Sequence, residues 1–271
     1  MKILVTGASS FVGAHFATLA HQQGFDVLAL WRDTPLYLEG PKVIVGDVRD
    51  IEPVGVDAVV HLAAKVMADD AREQNRSMLD AILKWRVPIV YCSSTAVHWP
   101  VKSAYAESRI EDEQRVRESG LNWLIVRPCA PYGPPHATHR PAHVESFHRL
   151  QRLAKKAPMV PVLGDGTTKR QPVHVDDFNG AICALLQKGV WNEAFDAGGP
   201  EPLTLKQIID ALAGREKPLF KIPVGAAGAL GRILPGFHPD VLKTFAQDDT
   251  VDPRPLREAS GVVPRVFSGD F

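Results

Sequence analysis

The chain has 271 residues, of which 45% are hydrophobic and 23% charged, with 31 Lys+Arg balanced by 31 Asp+Glu. That length can bury one large α/β core with a small subdomain beside it, and the composition is that of an ordinary globular protein. A formal net charge of zero excludes a broad basic field for holding nucleic acid or an anionic membrane, while leaving room for a local basic patch around a phosphate.

Short apolar runs alternate with longer amphipathic stretches. Strands are predicted at 2–6, 26–31, 43–46, 57–62, 87–93 and 122–127. The first four are apolar at nearly every position, the pattern of strands buried on both faces of a parallel sheet. A helix is predicted at 11–23, where Phe11, Val12, Phe16, Leu19 and Ala20 form one stripe and Gly24 suits the C-terminal cap. A second, at 71–85, carries Met78, Leu79, Ile82 and Leu83; a third, at 103–119, is largely polar and ends at Gly120. The alternation predicts right-handed crossovers and an α/β, doubly wound parallel sheet.

After residue 128 the rhythm breaks. Residues 128–170 are rich in Pro and His and read as a loop with one helix near 145–155. A strand–helix pair is predicted at 172–188, with Asp176 or Asp177 capping the helix, then a strand at 194–197 and a helix at 204–213. The three cysteines, Cys92, Cys129 and Cys183, lie in or beside apolar segments without CxxC spacing, and read as small core residues in a reducing compartment. Residues 1–20 superficially resemble a signal peptide. Gly7, Ser9, Ser10 and His15 interrupt that apolar run, and a strand–turn–helix fits it better. No stretch approaches the about 20 uninterrupted apolar residues of a membrane span. A cytoplasmic protein is expected, with a small-molecule substrate and neither nucleic acid nor membrane as partner.

The first strand runs directly into Thr6-Gly7-Ala8-Ser9-Ser10-Phe11-Val12-Gly13 and then a helix. A glycine at the strand end permits a tight turn, one inside the helix permits close packing on the sheet, and the helix N-terminal N–H groups then face a pyrophosphate. This context points to a Rossmann-type dinucleotide site. Residues 1–127 with 171–199 are read as the dinucleotide-binding domain, and 128–170 with 200–271 as a small substrate-binding subdomain. The second strand ends at Trp31-Arg32-Asp33. Arg32 there suits the 2′-phosphate of NADP, whereas Asp33 could bind the ribose hydroxyls of NAD; NADP is the favoured cofactor.

The apolar strand 87–92 ends in Ser93-Ser94-Thr95, which places hydroxyls at the carboxyl edge of the sheet. Tyr105 and Arg109 follow, four apart on one helix face. A cation there would favour the ionised phenol, and such a phenol exchanges a proton with a substrate oxygen while hydride moves to or from nicotinamide. Ser94 would hydrogen-bond the same oxygen.

Together, TGASSFVG at 6–13, Asp47, HLAA at 61–64, CSSTAVH at 92–98, YAESR at 105–109 and RPCAPYGP at 127–134 resemble the extended short-chain dehydrogenases/reductases, in particular the NAD(P)-dependent epimerase/dehydratase family. RQPVHVDD at 170–177 and AGGPEPLTL at 197–205 also match, so the resemblance covers about the first 210 residues. It implies that Gly7, Ser9, Ser10, Phe11, Val12 and Gly13 hold the dinucleotide. It further implies that Asp47 and Val48 contact the adenine, that Leu62, Ala63 and Ala64 line the cofactor path, and that Pro128 sits near the nicotinamide. Ser94, Tyr105 and Arg109 are the implied catalytic residues, with Thr95, Ala130 and Arg170 on the substrate side.

Three departures bear on activity. Ser10 stands where the family has its middle glycine, so its hydroxyl could bond phosphate while its Cβ crowds the pyrophosphate. Arg109 replaces the catalytic lysine, keeping the charge but not the shape. Ala130 stands where nucleotide-sugar members usually carry Asn. Arg170 is either a grip on a substrate diphosphate or an exposed charge before a strand. His136, His139, His143 and His148 crowd one loop with Arg140 and Arg149 but lack accompanying metal-ligand spacing; a solvated loop or basic lid is expected, and no metal. The implied function is hydride transfer at an alcohol or carbonyl carbon, by an epimerase or oxidoreductase acting on a nucleotide sugar. Ala96 and Val97 after Thr95 argue against dehydration. The alternatives are an NADPH-dependent reductase of non-sugar ketones or aldehydes and a non-catalytic NAD(P)-binding sensor or assembly protein. A homodimer would pair the helices at 71–85 and 103–119.

Overall fold

The computed structural model describes residues 1–33, 37–52, 54–65, 70–141, 146–226 and 246–271. In chain order the first half contains β1 (Lys2–Thr6), α1 (Phe11–Gln22), β2 (Asp26–Trp31), β3 (Lys42–Val45), β4 (Ala58–His61), α2 (Ala71–Leu83), β5 (Ile89–Cys92), α3 (Ala104–Glu118) and β6 (Trp123–Pro128). The second half contains α4 (Ser146–Lys156), β7 (Val160–Leu163), β8 (Lys169–Arg170), α5 (Val175–Gln187), β9 (Glu193–Ala197), β10 (Leu203–Thr204), α6 (Leu205–Ala213), β11 (Leu219–Ile222) and α7 (Arg254–Ser260).

Seven strands form one sheet in the order β3-β2-β1-β4-β5-β6-β9, with every pairing parallel. This is the expected doubly wound α/β sheet, with the order reversing between β1 and β4. Its central strands alternate between two cores. Ile3, Val5, Val60 and Val90 pack with Phe16 of α1 and Phe178 of α5 on one face. Leu4, Val59, Ile89 and Tyr91 pack with Leu79 and Ile82 of α2 and Val116 of α3 on the other. Burial on both faces is why these strands read as unbroken apolar runs.

β3 departs from that pattern. It is the edge strand, and Val43 and Val45 are exposed. The strand expected before α5 is reduced to a single parallel bridge between Tyr132 and His174. Neither Asp176 nor Asp177 caps α5; the His174 ring accepts the Asp176 N–H at 3.2 Å, and Asp177 instead grips Arg265. The segment 157–163, read as loop, contains β7, which pairs in parallel with β11. These two strands, α4 and α6 enclose a third cluster built on Tyr132, Phe147, Val160, Ile208 and Leu212. The short α7 packs on α5 and β9, and its Leu256 joins the core beside Phe178.

Phe178 lies at the centre of the α1–α5 face and is almost fully buried. Truncating it leaves a cavity between two helices already anchored to the sheet. Phe178→Ala is expected to lower the unfolding free energy by about 3–5 kcal/mol, read as a reduced midpoint in urea denaturation followed by circular dichroism.

Candidate active site

A wholly parallel sheet brings the carboxyl ends of all seven strands to one edge, so Thr6, Trp31, His61, Cys92, Pro128 and Ala197 lie along a single rim. The glycine turn opens on that rim. Gly7 has φ +69°, and a Cβ there would lie 2.5 Å from the Ala63 nitrogen; a Cβ on Gly13 would lie 2.1 Å from the Gly7 carbonyl oxygen. Both contacts are with backbone, so only glycine lets α1 seat this closely on β1 and the segment after β4. The Ser10 Oγ accepts the Gly13 N–H at 3.0 Å as the N-cap of α1, so its acceptor capacity is engaged within the helix itself. The Ser9 carbonyl bonds His139 Nε2 at 2.9 Å, and the buried Phe11 ring packs edge-on to His15 and His148. Whatever Phe11 and Val12 offer an anion therefore comes from backbone N–H groups at the helix terminus, which favour negative charge.

At the outer end of the rim, four charges interlock. Asp47 accepts from Arg32 Nη1 at 2.9 Å and from Arg49 Nε at 2.8 Å, and Arg32 Nε reaches Asp33 at 2.7 Å. The Arg49 hydrogen bonds, with help from Arg32, hold the Asp47 carboxyl far below the usual carboxylate range. Arg49 is a second cation on Asp47 beside Arg32 at the end of β2. Its place two residues beyond Asp47 was the available signal, and the sequence reading missed it. Val48 and Leu62 are buried, whereas Ala63 is half-buried and Ala64 exposed. Asn75 of α2, also missed, pins this stretch by bonding both the N–H (2.8 Å) and the carbonyl (2.9 Å) of Lys65.

The chemistry-bearing residues meet where β5 ends. Ser94 begins a single 3-10 turn, Thr95–His98, and its hydroxyl accepts the Ala96 N–H at 3.2 Å while lying near enough to the Tyr105 phenol to favour its ionised form. Ser103 caps α3 by accepting the Ala106 N–H at 3.2 Å. That cap fixes the first turn of α3, on which the half-buried Tyr105 sits. Arg109 lies below Tyr105, not beside it. It is 1% exposed, with its Cζ 5.3 Å from the Tyr105 ring centroid and 5.4 Å from that of Tyr91. It therefore presents no surface to a ligand. The expected lowering of the Tyr105 proton affinity is overturned: burial raises it, and Arg109 and Ser94 offset only part of that rise. Thr95 is buried and donates toward the Pro128 carbonyl at 3.4 Å, tying the ends of β5 and β6 together instead of facing a substrate.

On the substrate side, Ala130 has φ +42°, a left-handed backbone that costs a Cβ-bearing residue about 1–2 kcal/mol and that Asn tolerates better. Arg170 donates to the carbonyls of Lys169 and Gln247, bracing β8 against 247–249. His136 bonds Thr18 at 3.0 Å and His139 bonds the Ser9 carbonyl, so the loop carrying them is fastened to α1 and the glycine turn, while His148 of α4 bonds the Gly133 carbonyl at 2.8 Å. His143 lies outside the described residues.

The sequence model of the NAD dependent epimerase/dehydratase family matches residues 3–198. The chain belongs to that family, whose members are NAD-dependent enzymes. It is similar to dTDP-4-dehydro-6-deoxy-D-allose reductase of Streptomyces bikiniensis, at 24% identity over 98% of this chain and 95% of the relative. It is also similar to ceramide reductase of Caulobacter vibrioides, at 28% identity over 69% of this chain and 62% of the relative. Among solved structures, UDP-glucose 4-epimerase of Thermotoga maritima superposes with TM-score 0.74 at 20% identity, covering 98% of this chain and 94% of that one. Among the described residues, no helix is long and apolar enough to cross a membrane.

Two buried histidines make this region acid-sensitive. His61 shares a 2.6 Å hydrogen bond with Thr6, and burial, reinforced by Arg109, pushes it down to about 3. Burial and the neighbouring His15 push His136 down to about 4. The unfolded chain takes up both protons as the pH falls through about 6.5, while the folded chain does not. Stability is thus complete above that value and declines as the pH drops toward 4. Between pH 7 and 5 each histidine is expected to cost about 2 kcal/mol, measured as a fall in Tm that His136→Asn makes shallower.

Proposed function

We propose that this member of the NAD-dependent epimerase/dehydratase family transfers hydride at an alcohol or carbonyl carbon, with Tyr105 exchanging the substrate proton. The observation that carries the reading is the placement of Ser94 just after β5 and of Tyr105 on the first turn of α3, with the Arg109 cation beneath it, at the same sheet edge as the glycine turn. The residues present fit a dinucleotide: a cradle that any Cβ would fill at Gly7 and Gly13, and the N-terminus of α1 behind it. The glycine turn would hold the pyrophosphate, Asp47 and Val48 the adenine, and Pro128 the neighbourhood of the nicotinamide. When bound, the nicotinamide supplies or accepts the hydride.

In the reducing direction Tyr105 donates a proton to the developing alkoxide while Ser94 hydrogen-bonds the same oxygen; in the oxidising direction Tyr105 removes it. The buried Arg109 cation offsets part of the burial penalty on the phenolate from beneath the ring without touching substrate. Ala96, buried directly after Thr95, supplies no carboxylate there to assist elimination of water, which favours redox or epimerase chemistry over dehydration.

Residues 128–170 and 200–271 are proposed to bind the substrate, for which a nucleotide sugar is the first class. The two reductase relatives support reduction as the net reaction. One observation favours a non-sugar carbonyl compound instead: Arg170 donates to backbone carbonyls, the contacts that would otherwise go to a diphosphate. NADP is proposed over NAD because Arg32 and Arg49 converge at the end of β2, where a 2′-phosphate would replace the Asp47 carboxylate as their shared acceptor.

Oxidation of NADPH and NADH across dTDP- and UDP-linked 4-keto sugars and simple ketones and aldehydes tests the reading. Turnover is expected with at least one substrate, and Tyr105→Phe should lower kcat by about 100- to 10,000-fold with dinucleotide affinity retained. Binding without Tyr105-dependent turnover would identify a non-catalytic binder. Replacing both Arg32 and Arg49 with Ala should weaken NADPH binding about 10-fold or more and leave NADH binding nearly unchanged, as measured by titration calorimetry.

A further inference from the structure

We infer that Asp112, braced by Tyr91, is a positioning residue that holds the Arg109 guanidinium against the Tyr91 and Tyr105 rings and so fixes the cation beneath the reacting phenol. This rests on the reading of Tyr105 as the proton-exchanging group.

The geometry is specific. Tyr91 is fully buried on β5, and its hydroxyl donates to Asp112 Oδ2 at 2.8 Å. The same Oδ2 lies 3.4 Å from Arg109 Nη2, with the Asp112 side chain only 4% exposed. Nε, Nη1 and Nη2 of Arg109 have no hydrogen-bond partner among the described residues. A guanidinium tolerates this better than an ammonium because it is more weakly hydrated and lies within cation–π reach of two aromatic rings. A buried cation still requires a counter-charge, and Asp112, one helical turn along α3, supplies it.

The other groups facing this pair leave Asp112 as the determining anion. From β4 comes His61, held neutral by burial; from β5 come Tyr91 and Cys92, whose thiol burial pushes up to about 12; and from the turn after β5 comes Ser94. Glu111 and Arg76 act on Asp112 from outside with opposite signs. Burial works against the charged form of Arg109, but Tyr91, Tyr105 and Asp112 hold it protonated. Burial also lifts the Asp112 carboxyl, and Arg109 and the Tyr91 hydroxyl pull it back.

Asp112 thus has two opposed effects on Tyr105. It places the cation under the ring, and its own negative charge cancels part of that cation's field. Replacing the carboxylate by an amide of the same shape keeps an oxygen that accepts from Arg109 and Tyr91, so the cation stays in place while the opposing charge is removed. The Tyr105 phenol should then ionise at lower pH.

The test is titration of tyrosinate absorbance in the near ultraviolet for the full-length wild type and Asp112→Asn, each with its Tyr105→Phe counterpart subtracted to isolate Tyr105. The Asn oxygen can still accept from Tyr91 and from Arg109, so the cation stays, whereas the shorter Asp112→Ser side chain lets the guanidinium go. The Tyr105 transition is expected to move down by about one pH unit in Asp112→Asn, with the acid limb of the alcohol-oxidation rate moving in parallel, and to move up in Asp112→Ser. A transition that stays in place or moves up in folded Asp112→Asn, or that stays or moves down in folded Asp112→Ser, overturns the inference. Because the absorbance titration needs no substrate, it stands apart from failure of the proposed reaction, which would show as turnover unaffected by Tyr105→Phe.

Discussion

The architecture of the site depends on one backbone contact. The Gly13 α-carbon rests against the Gly7 carbonyl while Gly7 itself rests against the Ala63 nitrogen. This sets the N-terminus of α1 over the tips of β1 and β4, where the strand order of the sheet reverses. A methyl group at either glycine would meet backbone and push the helix away. Everything on the rim inherits its position from that seating: Ser9 receives His139, Val12 receives the Asn179 amide, and the histidine loop is drawn over the turn. The parallel sheet supplies the rest by aligning the ends of β4, β5 and β6, so residues far apart in sequence share one edge.

Around this frame some buried charges are closely paired and Arg109 is not. Arg127 is shared between Glu113 and Asp196, and Asp177 takes both a backbone N–H and the guanidinium of Arg265. These ties fasten β6 to α3 and β9, and the C-terminal segment to α5. Among the described residues Arg109 has one long ion pair, with Asp112, and two neighbouring aromatic rings instead of hydrogen bonds. Such an arrangement is costly in a purely structural role, and its position under Tyr105 fits the proposed part in proton exchange.

The sheet and the glycine turn were legible because their signals are local. Buried parallel strands are continuous apolar runs, and β1 leads straight into the turn. The edge strand β3 has the same apolar letters as a central strand and nothing in its own sequence to say that no neighbour follows it. β7 and β11 escaped notice because each is four residues long and their pairing joins segments far apart in the chain. The placement of Ser94 just after β5 and of Tyr105 on the first turn of α3 was readable from the end of an apolar run and the helix that follows. Thr95 was misplaced because neighbouring residues at a strand end face opposite ways. The depth of Arg109 was hidden for a related reason: spacing puts a side chain on a helix face but not above or below a ring. Tyr91 and Asp112, 21 residues apart, are joined only by the fold.

The central claim is that the phenol of Tyr105 and the glycine turn serve one and the same bound dinucleotide. A crystal structure of the protein with NADPH bound tests it most directly. The account predicts the pyrophosphate against the N-terminus of α1 and the nicotinamide ring packed beside Tyr105 and Ser94. A dinucleotide whose nicotinamide points away from Tyr105, or one bound elsewhere on the chain, would contradict it.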